Sequence, residues 1–121
     1  MAKNQSYPDG RYLKISVPSG TVAGDAVNSG EIAGVALYDA DDNDEAVVDR
    51  RGVYELTVTG SDTTGGNSAV SEGTKLYIDD GSGSLDAGDI TPDNTNGTYL
   101  GKAYGSVSGG SSADIDVIIE G

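Results

Sequence analysis

The stretch from Tyr77 to Ile90, YIDDGSGSLDAGDI, places four aspartates among three glycines and two serines. Oxygen ligands alternating through a glycine-bearing loop are the chemistry of a calcium site, which takes them at positions 1, 3, 5, 7, 9 and 12 with Gly at 6. Setting Gly83 at the sixth position puts Asp80, Ser82, Asp86 and Asp89 at positions 3, 5, 9 and 12. Ile78 then occupies the first position and cannot ligate, and Asp89 is a short substitute for a bidentate Glu. The residues before the loop, TKLYI, alternate as a strand where an EF-hand requires a helix. The stretch is therefore read as a connection between strands, with Gly in left-handed conformations and Asp closing Asx turns.

A second acidic run, Asp39-Ala40-Asp41-Asp42-Asn43-Asp44-Glu45, also alternates oxygens but has no glycine at the sixth position, and its twelfth is Arg50. It reads as a solvated loop able to gather a loosely held cation. The chain has no His and no Cys, which excludes Ser-His and Cys-His nucleophiles, ordinary zinc sites and disulfides. Gly97-Thr98-Tyr99-Leu100-Gly101-Lys102-Ala103 falls one residue short of a phosphate loop and ends in Ala where Ser or Thr must hold magnesium. Neither an enzyme nor a cofactor is expected.

The elements that carry these loops are strands. Leu13, Ile15 and Val17 alternate with Tyr12, Lys14 and Ser16; Tyr54, Leu56 and Val58 alternate with Val53, Glu55 and Thr57. Near the C-terminus Ile115, Val117 and Ile119 oppose Asp114 and Asp116. Period two predicts strands here, and further strands fit 32–37, 46–48, 75–78 and 98–107. In the last of these Gly101, Ala103 and Gly105 share one face, small enough for close backbone approach within the domain, while Leu100, Lys102 and Tyr104 share the other. Pro8-Asp9-Gly10, Pro18-Ser19-Gly20, Asn28-Ser29-Gly30 and Asn96-Gly97 read as turns, the last as a type I′ hairpin. The stretch 60–68 reads as an exposed loop. The fold class is all-β: a small antiparallel barrel or sandwich spanning 11–121, with Gly-rich loops and an extended N-terminal arm at 1–10.

Twenty acids against seven bases give a net charge of −13, which repels nucleic acid and anionic lipid. The N-terminus lacks the apolar stretch of a signal peptide and no run approaches membrane-spanning length, so synthesis in the cytosol and no membrane partner are expected. Val, Ile and Leu total 24, with no Phe or Trp. So lean a core predicts that neighbouring subunits complete the burial. Lys3, Arg11 and Lys14 give the beginning of the chain a positive bias against Asp9 alone, as a docking tail would have.

In order and spacing, Val17-Pro18-Ser19-Gly20, Gly24-Asp25-Ala26-Val27, Gly34-Val35-Ala36-Leu37, Gly52-Val53-Tyr54-Glu55-Leu56, Gly73-Thr74-Lys75-Leu76-Tyr77, Leu100-Gly101-Lys102-Ala103 and Asp116-Val117-Ile118-Ile119 resemble the capsid decoration, or cement, proteins of tailed bacteriophages. The chain departs from the family at Thr57-Val58-Thr59, where Lys is usual, at Thr74 in place of Asp and at Ile78 in place of Trp; 60–68 and 91–96 are longer than usual. The resemblance implies a structural virion protein without catalytic residues, assembled as a homotrimer on the outer surface of the expanded head. It would sit at three-fold or quasi-three-fold positions and bridge major capsid proteins. The arm, through Lys3, Asn4, Gln5, Tyr7 and Arg11, is expected to order on the capsid by strand addition, each arm binding weakly and three together strongly. Two other readings remain open at this point. One is a secreted or surface-displayed β-sandwich adhesion module stabilised by calcium. The other is a glycan-binding module stacking sugars on Tyr77, Tyr99 or Tyr104.

Overall fold

Wherever apolar and polar residues alternate, the computed structural model, which describes residues 11–120, has a strand, and no helix forms among those residues. The strands are β1 (Tyr12–Ser16), β2 (Ala26–Ser29), β3 (Ile32–Ala36), β4 (Glu45–Asp49), β5 (Gly52–Thr59), β6 (Lys75–Asp79), β7 (Ile90–Thr91), β8 (Gly97–Ala103) and β9 (Ser112–Ile119). They form two sheets. One has four antiparallel strands in the order β1-β4-β3-β2; the other runs β5-β7-β6-β8-β9 and returns to β5. The return is made by the long antiparallel β5–β9 ladder, whereas β5 meets β7 at one parallel pair, Val58 opposite Ile90. The all-β reading holds.

The core follows the alternation. Leu56, Val58, Val117 and Ile119 point inward with Leu76, Ile78, Ile90 and Leu100, and Tyr54 and Ile115 pack against them. Full burial of each aliphatic side chain contributes about 2 kcal/mol before entropy is counted. A second cluster joins Ile15, Val17, Val27, Ala36, Ala46 and Val48. Strand β3 links the two cores: Ala33 and Val35 belong to the first and Ala36 to the second. It is buried on both faces, which small residues permit. A Cβ on Gly34 would stand 2.7 Å from the Asp49 carbonyl oxygen.

The second core lies under two loops that hydrogen-bond to each other and to the sheet. Ala40 N donates to Thr21 O (2.9 Å), Gly24 N to Ala36 O (2.7 Å) and Val17 N to Asp44 O (2.8 Å). Pro18-Ser19-Gly20 is a turn as expected: Thr21 N donates to Pro18 O, and Gly20 has φ +87°, the type II signature.

Four expectations are corrected. Leu100 does not share a face with Lys102 and Tyr104: it is fully buried, whereas Tyr104 is exposed. The cause is a register shift: Leu76 pairs with Gly101 but Tyr77 with Tyr99, so Leu100 is an extra residue that the bulge turns inward. The strand also ends at Ala103, and Val107 makes an isolated bridge to Val70. Asn96-Gly97 is not a type I′ pair. Only Asn96 has positive φ, +60°, and Gly97 N closes a turn onto Asn94 O. Strand β2 was not anticipated, because Asn28 and Ser29 read as turn residues. The turn lies one residue later, with Gly30 at φ +58° between Ser29 and its partner Ile32.

The packing reading of the small residues at 101, 103 and 105 holds. A Cβ on Gly101 would fall 1.9 Å from Ile118 O, and one on Gly105 3.1 Å from the Ile115 Cβ, so both approaches lie within the domain.

Candidate functional site

The calcium-like loop follows β6, and its aspartates are engaged by the loop's own backbone. Gly81 N donates to Asp79 Oδ2 (2.8 Å), Ser82 N to Asp80 Oδ1 (2.8 Å) and Asp86 N to Asp89 Oδ2 (3.0 Å). These are Asx turns and related closures, in which a carboxylate takes the place of a carbonyl acceptor. Gly83, the sixth-position glycine, has another purpose. A Cβ there would stand 2.1 Å from Thr63 Oγ1 and 2.4 Å from Thr63 O, and Ser84 N donates to that same carbonyl at 2.7 Å. The loop is docked on the 60–68 stretch, which is pinned rather than simply exposed. Thr63 is buried, its N–H donates to Asp93 Oδ2 (2.9 Å), and Asp62 Oδ1 accepts from Thr64 N and Gly66 N.

The second acidic run behaves in the same way. Asp41 Oδ1 accepts from Asn43 N (2.9 Å) and Glu45 N (3.0 Å), while its Oδ2 meets Lys14 Nζ at 3.1 Å. Asp39 Oδ1 accepts from Ala23 N, across the two covering loops. Backbone donors hold Asp41 and Asp93 below the usual carboxylate range, and the Thr64 and Ser82 side chains lead the same effect on Asp62 and Asp80. Among the described residues no group of three or more His, Cys, Asp or Glu side chains converges as a metal site would require.

Among the described residues two carboxylates are buried, and their surroundings differ sharply. Asp49, 2% exposed, accepts from Arg11 Nε (2.8 Å) and Nη2 (3.1 Å), from Arg51 N (3.1 Å) and from the Tyr54 hydroxyl. Arg11, in turn, lies 4.9 Å from the centre of the Tyr12 ring. This latch ties the residue before β1 to the end of β4 and to β5. Asp79, 3% exposed, has one oxygen on Gly81 N, while Oδ1 has no hydrogen-bond partner among the described residues. It lines a cleft of about 290 Å³ between β2 and β6, beside Asn28, Asp80 and Ala87.

A buried carboxylate oxygen without a donor costs on the order of 1–3 kcal/mol. Asp79→Asn keeps an acceptor for Gly81 N and removes the buried charge, so it is expected to leave stability unchanged or raise it by about 1 kcal/mol. Urea unfolding with and without calcium checks this. A large loss in the variant, or calcium-dependent stability in the native protein that the variant lacks, would make Asp79 a cation ligand instead.

Of the five capsid-contact candidates, Lys3, Asn4, Gln5 and Tyr7 lie outside the described residues. Arg11 is the one described, and its guanidinium is committed to Asp49. The Asp49 carboxylate is the partner that sequence reading missed. Arg11 and Asp49 stand 38 residues apart, and only the β1–β4 pairing reveals them. The proposed tyrosine platforms are partly occupied by each other. Tyr77 and Tyr99 meet edge to face at 5.7 Å and 62°, and the Tyr99 hydroxyl donates to Glu120 Oε1. Tyr104 is 59% exposed.

These features define a class: a small, acidic, all-β domain whose charged side chains close turns and latch strands. The chain matches the family model of the phage cement protein over residues 7–119, and it belongs to that family. It is thus a capsid-associated structural protein of a phage virion. No curated protein and no solved structure matches the chain significantly.

Proposed function

We propose that this protein decorates the outer surface of the expanded phage head, as a homotrimer at three-fold or quasi-three-fold positions, and stabilises the shell by bridging neighbouring major capsid proteins. The family match over residues 7–119 carries this reading. Its chemistry is adhesion: main-chain and side-chain contacts repeated by three subunits, each weak and together strong. Residues Lys3, Asn4, Gln5 and Tyr7 make the capsid contacts. Arg11, held by the Asp49 carboxylate that Arg51 N in turn fixes, is the fixed root from which those contacts are presented.

Deleting residues 2–10 is expected to abolish co-sedimentation with expanded heads while leaving the circular dichroism spectrum and cooperative melting intact. The latch and both cores lie beyond the deletion. Head binding equal to that of the full chain would overturn the role assigned to this segment. Failure of the full chain to bind any expanded head would overturn the decoration reading itself.

A further inference from the structure

The β1–β4 pair of the four-stranded sheet separates charge along its length, with Glu31, in the β2–β3 turn, the exposed acid at the arginine end of the sheet. All three arginines of the chain, Arg11, Arg50 and Arg51, meet at one end of the β1–β4 pair, where Arg50 N donates to Arg11 O at 2.9 Å. At the other end of the same pair stand Asp39, Asp41, Asp42, Asp44 and Glu45, joined by Asp25 on the adjoining loop. The five residues of β4 set the two poles about 16 Å apart. Asp49 and Arg11 engage each other at the basic pole, and the side chain of Glu120, the residue after β9, is turned to Tyr99 and Lys102. Arg51 is exposed there. At the acidic pole Lys14 lies against Asp41 and Glu45, while Asp42 and Asp44 are exposed.

Exposed apolar residues mark the same two places. Tyr12 and Val53 flank the arginines, 41% and 56% exposed; Val22 and Tyr38 flank the acidic loop, 50% and 65% exposed. Large apolar side chains beside arginine, ringed by charge, are the composition of an interface centre. Two such patches of opposite sign on one chain complement each other without a third party.

We propose that the arginine pole of one copy docks on the Asp39–Glu45 pole of the next, in a head-to-tail contact. The occupant of each pole is a second copy of this chain, because that copy carries the complementary charge and apolar pair. Like poles cannot face one another, so a two-fold arrangement through either patch is repelled. A heterologous contact of this kind closes into a ring when its rotation permits. The inference rests on the homotrimer reading above and names the surfaces that build it. It also answers how chains of charge −13 associate at all: the contact joins opposite local charges although the net charges repel.

Charge exchange tests it. Sedimentation equilibrium of the full chain at low ionic strength is expected to show association that weakens as salt is added. Arg51→Glu and Asp42→Lys, both at exposed positions, are each expected to raise the midpoint concentration of association about tenfold. The two together in one chain put Glu on one side of the contact and Lys on the other, and are expected to return the midpoint to within about threefold of the native value. Tyr38→Ala is expected to weaken association without changing its salt dependence. Unchanged association in either single variant, a double variant as weak as the singles, or a native chain monomeric at low salt overturns the proposal. Head binding measured in parallel separates the two readings. A monomeric native chain that still binds heads sinks only this contact, whereas an associating chain that binds no head sinks decoration and leaves the contact standing.

Discussion

Replacing Gly101 by alanine is expected to destabilise the protein by on the order of 3 kcal/mol or more, and to lower the melting temperature by roughly 10 °C or more. The added methyl would lie 1.9 Å from Ile118 O, 2.9 Å from Ile118 C and 3.1 Å from Ile119 Cα. All three are backbone atoms of β9, which is held on its other side by the eight-residue β5 ladder, so no side-chain rotation relieves the clash. Either β8 and β9 part, breaking the pairing at Gly101, Lys102 and Ala103, or the bulge that buries Leu100 rearranges. Gly105→Ala is the comparison, because its methyl would meet the Ile115 Cβ at 3.1 Å, a contact relieved by a far smaller shift than the one at Gly101. A smaller loss is expected there. Denaturant unfolding of both variants checks the order; Gly101→Ala within about 1 kcal/mol of the native protein would show that β8 and β9 are not held this closely.

Asp49→Asn is expected to cost about 2 kcal/mol, and Tyr54→Phe about 1 kcal/mol. Asparagine retains one acceptor where the carboxylate serves two guanidinium nitrogens, the Arg51 amide and the Tyr54 hydroxyl. The partial exposure of Arg11, 39% at its side chain, keeps the loss below that of a wholly buried ion pair. The two substitutions share an acceptor, so their effects are expected to be less than additive.

The latch also sets the pH range of stability. The Arg11 guanidinium, chiefly, draws the Asp49 carboxyl down to about 2. A group bound more weakly to its proton in the fold stabilises above its unfolded value, near 4. That contribution is lost as pH falls through the folded value. Burial, and then the bond to Asp49, pushes the Tyr54 hydroxyl up to about 12, and burial with Glu120 does the same for Tyr99. These contributions are complete below pH of about 10 and lost as pH rises through the folded values. Stability is expected to be level between these limits with respect to these groups. Asp49→Asn should flatten the acid limb, and Tyr54→Phe and Tyr99→Phe the alkaline limb, in melting temperatures measured across pH. An unaltered acid limb in Asp49→Asn would mean that other carboxylates govern it, such as the turn-closing Asp41, Asp62 and Asp93.

The acidic loops were legible as turns because an aspartate within two to four residues of a free amide can close on it whatever lies elsewhere. Asp80 to Ser82 and Asp62 to Gly66 are contacts of that reach. The Gly83 docking on Thr63 was not legible, since a glycine that avoids a distant backbone looks the same as one that permits a turn. The lean apolar supply was visible in the composition, but its division into two clusters sharing β3 was not.

Which residues of β1, β5 and β9 face inward follows from the order of residues alone, because each strand residue's side-chain direction is set by its parity along the chain. The sequence also carried the family, through short motifs kept in order. That Leu100 turns inward at a bulge, that Asp49 receives Arg11, and that arginines and aspartates gather at opposite ends of the β1–β4 pair emerges only once the strands are paired. Each of these depends on which strand lies beside which and in what register. Pairing over tens of residues is set by the packing of the whole chain and leaves no local periodicity to read.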